Sequence, residues 1–354
     1  MSGCGGITRK PCSRPPTNEL SLHHGVRQDF AAAMKDIIIK PGSFWSTLLP
    51  LVKKLRGWSR KFYDRSAHRL VVSGGRIRFM EAELKFPENV GLLYATPLFW
   101  DGPDAYEIPT SRTIALLAGR SKLFLDIGSN IGIYAVYVGV KFPTVKVFAF
   151  EPVPAIFEKN ILFHRANGLP EQAVFKIALG EQSGPQKIFL PRLASVEEEQ
   201  AATLNEKSWQ AHADQVEVIE IQCQTLDGFA AGQVLPAGAC CVKLDVEGFE
   251  AAVLRGGKNF FRERRPWIIC ELLPREEFDP ATRTLTNNNG PVLELVRELN
   301  YAAFAISADG FYRMNNGDFS RPRNLKDFLL IPREKVPDDI LYLALENLSD
   351  FFPA

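Results

Sequence analysis

The sequence predicts an α/β fold: a seven-stranded, mostly parallel sheet with helices on both faces, preceded by a helical and β-stranded N-terminal extension. Three observations predict it. The run LFLDIGSNIGIYA at 123–135 is an apolar strand that ends in Asp126 and turns through glycines directly into a helix. VKVFAF at 145–150 repeats the pattern and closes on Glu151, 25 residues after Asp126. Further short apolar runs at 174–178, 241–245 and 267–271 alternate with helical segments, and right-handed crossovers between them make a parallel sheet.

Taken in order, residues 1–25 are polar and interspersed with Pro, Gly and Ser, which predicts a disordered leader. Residues 26–104 form the extension, in which 27–64 read as two helices broken at Pro41 and Gly42. The second helix mixes Phe44, Trp45, Leu48 and Leu51 with Lys53, Lys54 and Arg56, a composition suited to a membrane interface, although packing on the main domain is the commoner fate and Pro50 interrupts it. HRLVV, RIRFM and GLLYA, within 68–100, read as short antiparallel strands. A helix over 106–117 leads into the main domain at 105–333. That domain ends in a helix at 291–299 and two strands at 302–306 and 327–331, and 334–354 form a tail. Between Lys187 and Gln224 lies an insertion, KIFLPR and VEVIEIQCQ around an acidic linker, which reads as a strand pair with a long loop placed as a lid over the ligand crevice.

With 354 residues and 46% apolar content the chain can bury a full core. It has no run of 18 apolar residues and no apolar signal segment at its N-terminus. The six cysteines, at 4, 12, 223, 240, 241 and 270, lack C-x-x-C spacing and read as reduced core residues, which points to the cytoplasm. The net charge is +1, yet residues 1–80 hold fifteen Lys and Arg against four Asp and Glu, a surplus of eleven that leaves the remainder at −10. A basic leader on an acidic body predicts peripheral contact with an anionic membrane surface, or contact with the body itself. The acidic body offers nucleic-acid phosphates little, so no nucleic acid is expected as a partner.

The glycine spacing distinguishes between cofactors. A pyrophosphate binder needs G-x-G-x-x-G, whereas Gly128 and Gly132 stand as G-x-x-x-G two residues after Asp126. An acid at the loop suits the ammonium and sulfonium of S-adenosylmethionine better than the phosphates of NAD. Asp126 is expected to bond the loop amides or the methionine end, Asn130 to cap the following helix, and Glu151 to accept the ribose hydroxyls.

VKLDVEGFEAAVLRGG at 242–257 adds a strand with two following acids, Asp245 and Glu247, and a helix with Glu250 in its first turn. Together with DIGSNIG, FAFEPVP, ALGEQSG, TLDGF and IICELLP, it resembles the FkbM family of S-adenosylmethionine-dependent methyltransferases over roughly 105–333. The resemblance implies a class I methyltransferase fold, Rossmann-like with one antiparallel strand at its edge, and O-methylation of a sugar, glycan or polyketide-like metabolite. It also implies that Pro152 and Ala178 lie beside the cofactor, and that Glu107 reaches its methionine end.

An alcohol acceptor must lose a proton, which calls for a base or a metal. Asp245, Glu247 and Glu271 are expected to face the crevice, where one could act as base or all three could share a Mg²⁺-type ion. Glu250 reads as a first-turn acid, and Phe249 as either pocket wall or core. His212, in the insertion, is a candidate acceptor contact or base, though a loop histidine is more often polar surface. An NAD-dependent oxidoreductase and a non-catalytic binding module of the same fold remain the competing readings.

Overall fold

The computed structural model describes residues 72–190, 217–272, 289–314 and 326–344, together with the strand backbones at 37–39, 70–71, 191, 216, 276–279 and 284–287. The expected leader, most of the two helices at 27–64, His212 and the end of the tail lie outside the described residues.

Within the N-terminal region, β1 (Ile37–Ile39) pairs in parallel with β2 (Leu70–Val72), so a segment that reads as helix is a strand. Three consecutive β-branched isoleucines explain the outcome. A hairpin follows, β3 (Gly75–Phe79) against β4 (Ala82–Phe86), whose alternating buried residues face inward. GLLYA, expected as a strand, instead begins helix α1 (Leu92–Asp101), because Tyr94, Ala95 and Leu98 repeat at helical spacing and bury together. The strand partner is AELKF, whose period-two pattern fits the hairpin.

The main domain runs through α2 (Ile108–Ala118), β5 (Leu123–Ile127), α3 (Ile133–Lys141), β6 (Lys146–Phe150) and α4 (Pro154–Ala166). The third strand divides. β7 (Val174–Phe175) pairs with β6, while β8 (Ala178–Leu179) leaves the sheet to pair with the insertion. The insertion is an antiparallel pair, β9 (Gly184–Pro191) and β10 (Val216–Gln224), as its two apolar runs predict. Then come α5 (Leu226–Ala231), β11 (Cys240–Leu244), α6 (Glu250–Gly256), α7 (Lys258–Arg264) and β12 (Trp267–Glu271). A small hairpin of β13 (Glu276–Asp279) and β14 (Thr284–Asn287) precedes α8 (Gly290–Glu298), β15 (Tyr301–Ile306), β16 (Gly310–Arg313), β17 (Asp327–Pro332) and β18 (Tyr342–Ala344).

Among the described residues the main sheet has nine strands, in the order β18-β16-β15-β17-β12-β11-β5-β6-β7. The run from β12 to β7 is parallel, and β17 lies antiparallel between β12 and β15. The two final strands expected from sequence are therefore present, and β16 and β18 extend the predicted seven strands beyond β15.

Every residue of β5, β11 and β12 is buried, as a strand covered on both faces requires. One core packs α2 and α3 against Phe124, Cys241 and Ile269; the other packs α6, α7 and α8 against Leu125, Val242 and Ile268. Residues from Val72 to Trp100 share the first of these cores, with the ring of Phe86 tilted against Phe163 at 4.6 Å and Phe79 edge-on to Tyr137 at 5.2 Å. The hairpin and α1 thus form a third layer over α3 and α4. Cys223, Cys240, Cys241 and Cys270 are buried free thiols, as expected of reduced core residues.

Candidate functional site

The parallel strands β5, β6, β11 and β12 end along one rim of the sheet, and a cavity opens there. Gly128, Asn130, Glu151, Pro152, Ala178, Asp245, Glu247, Glu271 and Glu107 line it together. Of the remaining candidates, Asp126 and Gly132 lie beneath the loop rather than in the cavity wall, and His212 is outside the described residues.

The loop after β5 is held by backbone bonds to β6 and by three side chains, those of Glu151, Asn130 and Asn160. The amides of Gly128 and Ser129 donate to Phe150 O at 3.1 and 3.0 Å, tying the loop to the end of β6. Glu151 completes the tie: its Oε2 accepts from Asn130 N at 3.0 Å and its Oε1 from Val153 N at 2.9 Å. Burial pushes the Glu151 carboxyl up to about 7, against the opposing pull of those two amides. The helix cap falls on a different residue from the one expected. Asn130, at φ 53, turns its Oδ1 to Ile131 N at 2.7 Å, while the carboxylate of Asp126 accepts from Ala135 N at 3.0 Å in the first turn of α3. Asp126 is itself buried, which raises it to about 7 although Lys243 opposes the shift.

From the opposite side of the loop, Asn160 of α4 donates through Nδ2 to Ser129 Oγ at 3.0 Å and Asn130 O at 2.8 Å. Its side chain also fills the space beside Gly132, where a Cβ would stand 2.4 Å from Asn160 Oδ1. Small residues at the loop and an amide behind it are one device.

At the ends of β11 and β12 the cavity is acidic. Lys243 Nζ reaches Asp245 Oδ2 at 3.0 Å, and Lys326 Nζ bridges Glu271 Oε1 at 2.8 Å and Glu107 Oε1 at 3.2 Å. Tyr134 donates its hydroxyl to the other oxygen of Glu107 at 2.7 Å. Burial first, and then the neighbouring Asp245 charge, push Glu271 up to about 8. Burial alone would raise Asp245 too, but Lys243 holds its carboxyl below the usual range. Glu250 is buried at the start of α6 and accepts from Gly248 N at 2.9 Å, a structural role that fits a first-turn acid. Phe249 is not in the cavity wall. No group of three or more His, Cys, Asp and Glu suited to a metal ion occurs among the described residues.

Four contributors lie outside the residues expected from sequence, and local pattern leaves three of them unmarked. Tyr94 and Tyr106, 4.9 Å apart edge to face, wall the acidic end, and Lys326 enters from the start of β17. The fourth, Lys243, does carry a signal: a lysine inside the apolar run CCVKL, two residues before Asp245 and so on the same face of the strand. Ile188 of the β9–β10 insertion also reaches the cavity wall.

A 24% identical relative over 178 residues is "Methyltransferase 1" of Beauveria bassiana (strain ARSEF 2860), the match covering 47% of this chain and 70% of that protein. The solved Methyltransferase FkbM from Methylobacillus flagellatus KT is 14% identical with a TM-score of 0.35; the match covers 60% of this chain and 44% of that one, so the chain spans less than half of its length. Cofactor-bound Rv0187 from MTB is also 14% identical, with a TM-score of 0.32 over 65% of this chain and 82% of that one. The model of the Methyltransferase FkbM domain matches residues 126–303, half of the chain, and the chain belongs to the FkbM methyltransferase family.

Proposed function

We propose that the protein is an O-methyltransferase that takes its methyl group from S-adenosylmethionine and places it on a hydroxyl of a sugar, glycan or polyketide-like metabolite. The observation that carries this reading is the distribution of carboxylates along one cavity. Glu151 follows β6 and Glu271 ends β12, three strand spacings away. At ~4.8 Å per strand, that separation is about 14 Å, room for a ribose at one end and a transferring group at the other.

The lining fits that donor. Glu151 keeps lone pairs beyond those used by Asn130 and Val153 and can accept ribose hydroxyls, while Pro152, Ile177, Ala178 and Leu179 supply apolar walls for a flat base. Glu107, Asp245 and Glu271 supply negative charge for a cationic end. Bound there, the donor supplies an electrophilic methyl on a sulfonium that leaves as a neutral thioether. The chain's own residues orient the acceptor, exclude water and take its proton. As the acceptor oxygen bonds to the methyl carbon, its O–H proton passes to a carboxylate of the Asp245 and Glu271 pair. Tyr94 and Tyr106 close the cavity beside that pair.

Calorimetric titration with S-adenosylhomocysteine tests the reading, with Glu151→Ala as the paired variant and repeats in EDTA and in Mg²⁺. Micromolar binding lost in the variant supports it and opens an acceptor screen across hydroxylated metabolites. Absence of binding to the wild-type protein overturns it.

A further inference from the structure

The acidic end of the cavity holds two carboxylates and two lysines, and the two ion pairs are unlike. Lys243 is 1% exposed on the central strand β11, and its partner Asp245 is 29% exposed. Lys326 is 43% exposed at the cavity rim, and its partner Glu271 is 8% exposed. The first pair has its cation in the dry interior. The second has its cation in reach of water.

A lysine this deep stays charged only beside negative groups, since burial favours the neutral amine. Such groups surround Lys243 from every side. Asp126 is its register partner on β5, Asp245 directly follows its own strand, Glu271 ends β12, Asp327 opens β17, and Glu107 precedes α2. Asp327 is held apart by Thr110, which donates to its Oδ2 at 2.6 Å, and Asp126 is occupied by the α3 amide. Asp245 is therefore the carboxylate that receives the buried ammonium directly. Glu271 faces Asp245, Lys243, Lys326 and the neutral phenol of Tyr106, and its direct counterion is the one that solvent can screen.

We propose that Lys243 is a positioning residue that decides which carboxylate of the pair handles the acceptor's proton: it fixes Asp245 as a standing anion and leaves Glu271 as the proton carrier. This rests on the methyltransferase reading for its catalytic meaning, but the charge assignment is a property of the protein alone. In the transfer, which starts from the ionised form of Glu271, the acceptor O–H bond breaks toward a Glu271 carboxylate oxygen as the oxygen–methyl bond forms and the sulfur–methyl bond breaks, with that electron pair staying on sulfur. Asp245 keeps its charge throughout and serves the cationic donor.

The test is a ¹³C-carboxyl NMR titration of the full chain, with resonances assigned by loss in Glu271→Gln and in Asp245→Asn. Glu271 is expected to titrate near the value of about 8 to which its surroundings push it. Asp245 is expected to stay ionised between about pH 5 and about pH 9. In Lys243→Met, Asp245 begins to titrate within that window and the Glu271 midpoint moves by at least about one unit, whereas Lys243→Arg keeps the wild-type assignment. Titration of Asp245 in place of Glu271 in the wild-type protein overturns the proposal, even if Lys243→Met does not fold. So does a folded Lys243→Met with both curves unchanged. S-adenosylhomocysteine binding, measured on the same samples, separates the two claims: its absence from the wild type defeats the methyltransferase reading and leaves the charge assignment to be read from the titration.

Discussion

Gly128 and Asp245 meet backbone to backbone: a Cβ on Gly128 would stand 1.8 Å from the carbonyl oxygen of Asp245. The cofactor loop and the acidic end of the cavity are thus held in register by a contact that tolerates no side chain. Gly128 also sits at φ +77, where L residues are strained.

Gly128→Ala should therefore cost about 3 kcal/mol or more, as strain adds to a clash with backbone that cannot yield cheaply. Urea unfolding measures the loss, and calorimetry should show donor binding abolished even where the variant remains folded. A variant as stable as the wild type would mean that the two strand ends can separate freely.

Asn160→Ala removes the amide that anchors Ser129 and Asn130 from behind. Breaking both bonds in the interior is expected to cost roughly 1–3 kcal/mol and to weaken S-adenosylhomocysteine binding, because the loop loses its brace while Glu151 remains. Equal affinity in the variant and the wild type would show that the Phe150 and Glu151 bonds suffice.

The pH dependence of stability has two limbs of opposite sign. Burial raises Asp126 from 3.8 and Glu151 from 4.5 to about 7, so the stability they contribute is present in acid and is lost as pH climbs to about 7. Burial lowers His164 from 6.5 to about 4, so its contribution is present above 6.5 and is lost as pH falls toward 4. Asp126→Asn should flatten the decline toward neutral pH by on the order of 4 kcal/mol, and urea midpoints across that range check it. An unchanged slope would show that Asp126 is ionised in the fold without penalty.

The basic leader leads to a separate expectation. Residues 1–80 carry the surplus of eleven positive charges, so the protein should co-sediment with vesicles containing anionic lipid and lose most of that binding in high salt. Deleting residues 1–65 should abolish it. Retained binding would assign the contact to another surface.

Much of the fold is legible in the chain because its signals are local. Apolar runs closed by Glu151, Asp245 and Glu271 mark strand ends, and parallel strands ending on one rim must bring those acids toward one crevice, whereas β5 runs one residue past Asp126 and keeps it buried beneath the loop. The final strands at 301–306 and 327–332 are equally plain, as is the β9–β10 pair, since each is a short apolar or alternating run. Segments that fit both periods misled: GLLYA is helical because its buried side pairs with the hairpin, a choice made by packing.

What the sequence by itself determined is the parallel core, the glycine loop and the identity of the acids at the strand ends, because period and turn chemistry act within a few residues. Only the tertiary structure decided how those acids are charged and held. Asp126 became a helix cap, Asn160 became the loop's brace, and Lys243 and Lys326 became the unequal counterions of Asp245 and Glu271. Apart from the adjacent pair of Lys243 and Asp245, these partners are distant in the chain. The charge of even that pair depends on burial that exists only when the sheet is assembled.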